Sequence, residues 1–182
     1  MSAQFFISLI RNPATMGCLA PSSRYLADAM ARATDRAELV VELGAGTGSV
    51  TKALIGSHPD VPLIAVELES GLARKLKHKF PHVDVRHDTA KQVIDGLTDA
   101  PLNTALVSSL PFRSLPPHIT AETVASICAF LRVSPIRKLI QFTYQPREPF
   151  TAPSGFEWTR TNFIWRNAPP AGVWELRAAN LN

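Results

Sequence analysis

Three glycines at alternate positions, Gly44, Gly46 and Gly48, follow an apolar run in VVELGAGTGSV, residues 40–50. Glycine reaches φ > 0 and lets a ligand come close to the backbone. A turn of this kind holds a ligand at the end of a strand, and its spacing narrows the chemistry. A phosphate loop ends in Gly-Lys-Ser/Thr, which is missing here. A dinucleotide turn reads G-x-G-x-x-G, whereas this one reads G-x-G-x-G with Glu42 two positions ahead. Two more acids end strand-like runs. Glu67 closes PLIAVE, and its carboxylate can accept hydrogen bonds from both hydroxyls of a ribose. Leu68 follows and can pack on a base. Asp88, with Thr89 beside it, follows VDVRH and can accept from an adenine amino group, or cap the next helix. Together these residues describe a site for an adenosine nucleoside that needs no phosphate.

The elements that must hold these residues alternate in period. The runs at 39–43, 62–67, 83–87, 104–110 and 137–145 read as strands. Between them lie helical patterns: one begins at Thr47 or Ser49, and others span 70–80, 88–97 and 120–131. An earlier helix runs through Tyr25, Leu26 and Met30, capped by Ser22 or Ser23. Strands of near-continuous apolar character that alternate with helices predict an α/β fold with a parallel sheet covered on both faces. Two terminal strand-like runs, FEWTRTNFIW and GVWELRA, add an antiparallel hairpin and make the sheet mixed. Ligands of such sheets sit beyond the carboxyl ends of the strands, at the switch point. All three acids are expected there. At the N-terminus AQFFISLIRN is amphipathic, with Phe5, Phe6, Ile7, Leu9 and Ile10 on one side and Pro13 as its stop. It suits insertion into a lipid interface, or packing on the domain as a lid.

Length and composition bound the rest. The chain has 182 residues, 46% hydrophobic and 19% charged, which fits one folded domain and excludes disorder. It divides into N-terminal helices and a membrane-facing lid at 1–35 and a catalytic core at 36–182. No apolar run reaches the ~20 residues a spanning helix needs. Residues 14–18 lack the basic and apolar stretches of a secretion signal. Cys18 and Cys128 show no metal-ligand spacing and read as reduced thiols, so a cytoplasmic location is expected. None of the five histidines has ligand spacing, and no metal is expected. The net charge of +4 and a pI near 9.4 point to an anionic partner, nucleic acid or an acidic membrane face.

The segments VELGAGTG, VELE and HDTA resemble the motifs of class I S-adenosylmethionine-dependent methyltransferases, over about residues 38–145. That resemblance implies a Rossmann-like fold whose seven-stranded sheet ends in a reversed hairpin. It implies that Glu42, Gly44, Ala45, Gly46 and Gly48 hold the methionine end of S-adenosyl-L-methionine. Glu67 and Leu68 then hold the ribose and base, and Asp88 and Thr89 the adenine. S-adenosyl-L-homocysteine is the implied product. After the fourth strand, Ser108-Ser109-Leu110-Pro111-Phe112 resembles the acceptor motif of RNA and DNA adenine methyltransferases, with Ser109 replacing their Asn or Asp.

Across nearly the whole chain, FFISLIRNPATMGCLAPSS, VVELGAGTG, SSLPF, QFTYQP and WRNAPPAGVWELR resemble, in order, the soluble bacterial phospholipid N-methyltransferases. Two departures are Arg132-Val133-Ser134-Pro135, in place of a Pro-Gly-Gly turn, and Ser109, in place of a common glycine. The family implies methylation of phosphatidylethanolamine and its methylated derivatives, toward phosphatidylcholine, at the inner face of the cytoplasmic membrane. An rRNA adenine N6-methyltransferase is the alternative, while no stable nucleic acid partner is expected on the first reading. For an amine acceptor, Ser109 and Tyr144 are the candidates that orient the nitrogen, with Ser109 also beside the cofactor. Tyr144 and Phe112 offer aromatic faces to a methylated cation. Arg24 and Arg113 are possible partners of a lipid phosphate.

Overall fold

In the run Leu39–Leu43 every residue is buried, and the same holds for Thr104–Ser108. Strands apolar on both faces must be covered on both faces. The computed structural model describes residues 23–179 and shows how this is done. The amphipathic run at the N-terminus and Cys18 lie outside those residues. Strands β1 (Leu39–Leu43), β2 (Leu63–Val66), β3 (Asp84–Arg86), β4 (Thr104–Ser108) and β5 (Lys138–Thr143) form a parallel array. Strands β6 (Phe156–Ile164) and β7 (Ala171–Ala178) complete a seven-stranded sheet in the order β3-β2-β1-β4-β5-β7-β6. β7 pairs antiparallel with both β5 and β6, which leaves β6 at the edge. This is the mixed sheet with a closing hairpin that the alternation and the two terminal runs implied. A bulge between Arg160 and Asn162 shifts the hairpin register by one residue.

The helices are α1 (Arg24–Arg32), α2 (Ser49–Ser57), α3 (Ser70–Lys79), α4 (Ala90–Asp95) and α5 (Pro117–Arg132). Ser23 caps α1: its hydroxyl accepts from the Leu26 N–H at 3.3 Å. α5 begins earlier than the expected Thr120, because Pro117 can occupy the first turn, where its missing N–H costs nothing. α4 is shorter than the 88–97 expected. Thr89 caps it and Gly96 follows its end.

Register explains the core. Ile64, Val41, Leu106, Leu139 and Leu176 lie side by side across five strands, and all belong to one buried cluster with Ile127 and Leu131 of α5. The other face is built from Val40, Ala105, Val107 and Ile140, covered by Leu26 and Met30 of α1 and Val50 and Leu54 of α2. Because β2 lies on one side of β1 and β4 on the other, a crevice opens where their connections diverge, at the carboxyl ends. Leu106 sits at the centre of the row and is fully buried. Leu106→Ala should therefore cost about 2–5 kcal/mol, read as a lower urea midpoint at unchanged slope.

Candidate active site

The glycine turn is built from backbone positions only glycine takes easily. Gly44, Gly46 and Gly48 have φ of 79°, 56° and 82°. The N–H groups of Gly44 and Ala45 both donate to the Val66 carbonyl, at 2.9 and 3.0 Å. The Gly46 N–H donates to Glu67 Oε2 at 2.7 Å, while Glu67 Oε1 accepts from the Glu69 N–H at 2.8 Å. Glu67 is 3% exposed, so its carboxylate braces the turn after β1 against the loop after β2. Gly48 precedes α2 in a left-handed conformation. A Cβ there would lie 2.5 Å from Phe80 Cε2 and 2.9 Å from Leu76 Cδ2. Of the two expected starts, Thr47 and Ser49, the helix takes the second. Ser49 is the first helical residue, and the helix starts without a side-chain hydrogen bond.

Glu42 lies wholly buried in β1, beside Ala65 of β2 and Val107 of β4. Its Oε2 accepts from the Thr51 hydroxyl of α2 at 2.6 Å. Its Oε1 is buried and has no partner among the described residues. Burial pushes the Glu42 carboxyl from an ordinary 4.5 up to about 7, against the lowering effect of the Thr51 bonds and with a small push from the Glu67 charge. An orphaned acidic oxygen at the foot of a glycine turn is a ready acceptor for a cationic group. This fits the amino-acid end of S-adenosylmethionine, whose ammonium could pair there.

Asp88 stands half-buried just beyond β3, and its Oδ1 accepts from the Thr89 N–H at 2.7 Å. It does not cap α4. Thr89 does, accepting from the Gln92 N–H and donating to Gln92 Oε1. The loop beside it is fixed by His87, whose Nε2 lies 3.0 Å from the Leu68 carbonyl.

On the other side of the crevice the Ser109 N–H donates to the Leu43 carbonyl at 2.9 Å, so Ser109 begins its loop directly beside the glycine turn. Leu110 closes over Gly44, where a Cβ would meet Leu110 Cδ2 at 3.0 Å. Gln141 of β5 was not singled out from sequence. It is 3% exposed, and its Nε2 donates to the carbonyls of Leu110 and Phe142 at 3.2 and 3.1 Å. Its Oε1 is buried without a partner, as is Nε1 of Trp174, its register partner on β7. A polar residue inside the apolar strand KLIQFT was the available signal. Tyr144 follows β5, half-buried, and packs edge-on against Phe142 at 5.4 Å on the α1–α2 side. Phe112 does not offer a face to the crevice. It is 5% exposed and packs against Phe150 at 4.9 Å inside the α5-side core. Arg113 donates to the Glu148 carbonyl, while Arg24 lies exposed over the Tyr25 ring at 5.6 Å. Among the described residues, no group of three His, Cys, Asp or Glu side chains could hold a metal ion, and no helix is long and apolar enough to cross a membrane.

No family model matches the chain. An ornithine lipid N-methyltransferase of Singulisphaera acidiphila is 30% identical over 186 residues, covering 95% of this chain and 95% of that protein. The chain belongs to that enzyme's family, among the class I S-adenosylmethionine-dependent methyltransferases. Solved structures share the fold. A 1,6-didemethyltoxoflavin-N1-methyltransferase of Burkholderia thailandensis, bound to S-adenosylhomocysteine, superposes with a TM-score of 0.67 at 16% identity, over 97% of this chain and 87% of its own. The 23S rRNA methyltransferase ErmE superposes at 0.51 and 19% identity, over 85% of this chain and 67% of its own.

Two measurements check the site of this methyltransferase. Gly48→Ala meets both a left-handed backbone and a steric clash, so it should lose at least about 2 kcal/mol of stability. Gly46→Ala, with nothing within 4 Å of its Cβ, should lose only about 1–2 kcal/mol. Urea unfolding of both proteins reads the difference. Glu42 gives a pH signature in the cofactor-free protein. Between pH 4.5 and about 7 the folded chain keeps a proton that the unfolded chain releases. Its contribution is therefore full below the unfolded pKa and is lost as pH rises through the folded one, by roughly 3 kcal/mol. Glu42→Gln should remove that slope, so that variant and wild type diverge in unfolding free energy from pH 4.5 to pH 8.

Proposed function

We propose that this methyltransferase N-methylates the amine of a membrane lipid headgroup. The acceptor is phosphatidylethanolamine with its methylated derivatives, toward phosphatidylcholine, worked on at the inner face of the cytoplasmic membrane. The observation that carries the reading is the end-to-end match to a lipid N-methyltransferase. The ornithine lipid named for that relative presents an amine acceptor too, so it is the second acceptor to test. The rRNA adenine reading rests on the SSLPF run, where Ser109 lacks the amide or acid of that motif.

In this reading Glu42 Oε1 takes the ammonium of the methionine end, and the backbone of Gly44–Gly48 lies along it. Glu67 has further lone pairs on the oxygens that already hold Gly46 and Glu69, and these accept from the ribose hydroxyls. Leu68 packs on the base and Asp88 accepts from its amino group. Bound S-adenosylmethionine supplies a methyl carbon made electrophilic by its sulfonium. The chain's task is then to place an amine lone pair in line with that carbon. An ammonium has no lone pair, and partial desolvation near Ser109 and Tyr144 lowers its pKa so that the proton leaves to water. The Ser109 and Tyr144 hydroxyls orient the nitrogen, and no separate general base is required.

Expression in a bacterium that makes phosphatidylethanolamine but no phosphatidylcholine should yield methylated phosphatidylethanolamine in the lipid extract. Methylated lipid only in an ornithine-lipid producer would move the acceptor to that lipid. Methylated rRNA adenine with unchanged lipids would replace the reading. Glu67→Ala should weaken cofactor binding at least tenfold by calorimetry, since it removes both the brace and the ribose acceptor.

A further inference from the structure

We infer that the tip of the β6–β7 hairpin, with the start of α1, is a docking surface for an anionic lipid bilayer. The inference rests on the lipid-acceptor reading above. Trp165 is 77% exposed at this tip and packs edge-on against Phe163 at 4.6 Å. Tyr25 of α1, 41% exposed, lies across a shallow groove from them. Cations surround these rings. Arg166 and Arg24 stand 5.5 and 5.6 Å from the Tyr25 centroid, and Arg160 stands 5.9 Å from that of Phe163. Arg32 also lines the groove, where Asp28 is the opposing charge. Among the described residues none of these four arginines has a carboxylate oxygen within 4 Å. Exposed indole beside unpaired guanidinium groups is the composition of a membrane interface. Tryptophan settles at headgroup depth, and each cation is drawn to an anionic leaflet.

Two placements tie the patch to the chemistry. Thr143 at the carboxyl end of β5 pairs with Gly172, and Ala171 pairs with Ile164 at the end of β6. Residues 165–170 therefore lie on the same edge of the sheet as the glycine turn and Ser109. The second placement is the chain's entry. The Ser23 N–H donates to Asn167 Oδ1 at 3.1 Å, and Asn167 Nδ2 donates to the Pro169 carbonyl. Ser23, the first of the described residues, is thus fastened to this hairpin turn. Aromatics, arginines and the crevice converge on one edge, which faces the bilayer when a lipid headgroup enters.

The test uses the full chain and vesicles of phosphatidylglycerol with brominated phosphatidylcholine, which contain no amine acceptor. Bound wild type should show tryptophan quenching by the bromolipid. Trp165→Phe should bind but lose most of that quenching. Arg160→Gln with Arg166→Gln should weaken binding to anionic vesicles by roughly 25-fold, at about fivefold per cation, and leave binding to neutral vesicles unchanged. All variants should methylate detergent-dispersed acceptor at the wild-type rate, which also shows that they fold. Quenching that survives Trp165→Phe, or vesicle affinity unmoved by the arginine pair, would overturn the surface. So would a loss of RNA affinity in place of vesicle affinity. Failure to methylate dispersed lipid amine overturns the function instead, and the vesicle readouts still decide the surface.

Discussion

The site depends on one buried carboxylate. Glu67 holds the Gly46 N–H with one oxygen and the Glu69 N–H with the other, and it is nearly sealed from water. Hydrogen bonds to a carboxylate are the stronger kind, and Gly46, at the middle of the turn, takes its bond from Glu67. Without that brace the turn between Gly44 and Gly48 would be held by the Val66 carbonyl, by the Gly48 N–H to the Ala45 carbonyl, by Lys79 Nζ on the Thr47 carbonyl and by the packing of Phe80 and Leu76 around Gly48. Glu69 in turn caps α3, accepting from the Gly71 and Leu72 N–H groups. A chain of backbone bonds therefore runs from the β1 turn through Glu67 to the start of α3. The glycine turn, the β2 loop and a helix terminus share one anchor.

Glu42 and Glu67 divide the work by environment. Both are buried at the ends of neighbouring strands. Glu67 has a partner on each oxygen. Glu42 has one oxygen held by Thr51 and one left bare, and burial raises its pKa toward neutrality. In the proposed reading both acids also meet the cofactor, Glu67 through its remaining lone pairs and Glu42 through its bare oxygen. A fully paired acid stabilises the protein by itself, whereas a half-paired one carries a cost that an incoming cation removes.

How much of this could be read beforehand follows from what each residue advertises. Parallel strands are buried on both faces, so β1, β2 and β4 appear in the sequence as largely apolar runs, and the acids Glu42 in β1 and Glu67 after β2 stand out. The hairpin was visible as two runs, but not its bulge at Arg160 and Asn162, because one inserted residue leaves no mark on composition. Glu67 was legible as an acid at a strand end. Its bond to Gly46, 21 residues away, was not, since only the register of β1 against β2 brings them together. Phe112 is expected at the crevice because Ser108–Phe112 resembles an acceptor motif that ends in an aromatic. Its real partner, Phe150, arrives from a distant loop that no local pattern announces. Gln141 was overlooked although an amide in an otherwise apolar strand is itself the signal.

The row that ends the sheet turns a fold into a reagent holder. One step back, the row Val41, Leu106, Leu139 and Leu176 is wholly apolar. At the final row the same face carries Leu43, Ser108, Gln141 and Trp174. Gln141 and Trp174 each retain a buried polar atom without a partner among the described residues, and Gln141 clasps the Leu110 carbonyl of the loop after β4. Native interiors seldom leave such atoms orphaned unless something else completes them. A methyl acceptor must lose its water and its proton together, which calls for a site apolar enough to disfavour the ammonium and polar enough to aim the amine. On this face the row changes from leucine to serine, glutamine and tryptophan two residues further along the strands, which is the composition that the proposed acceptor site calls for.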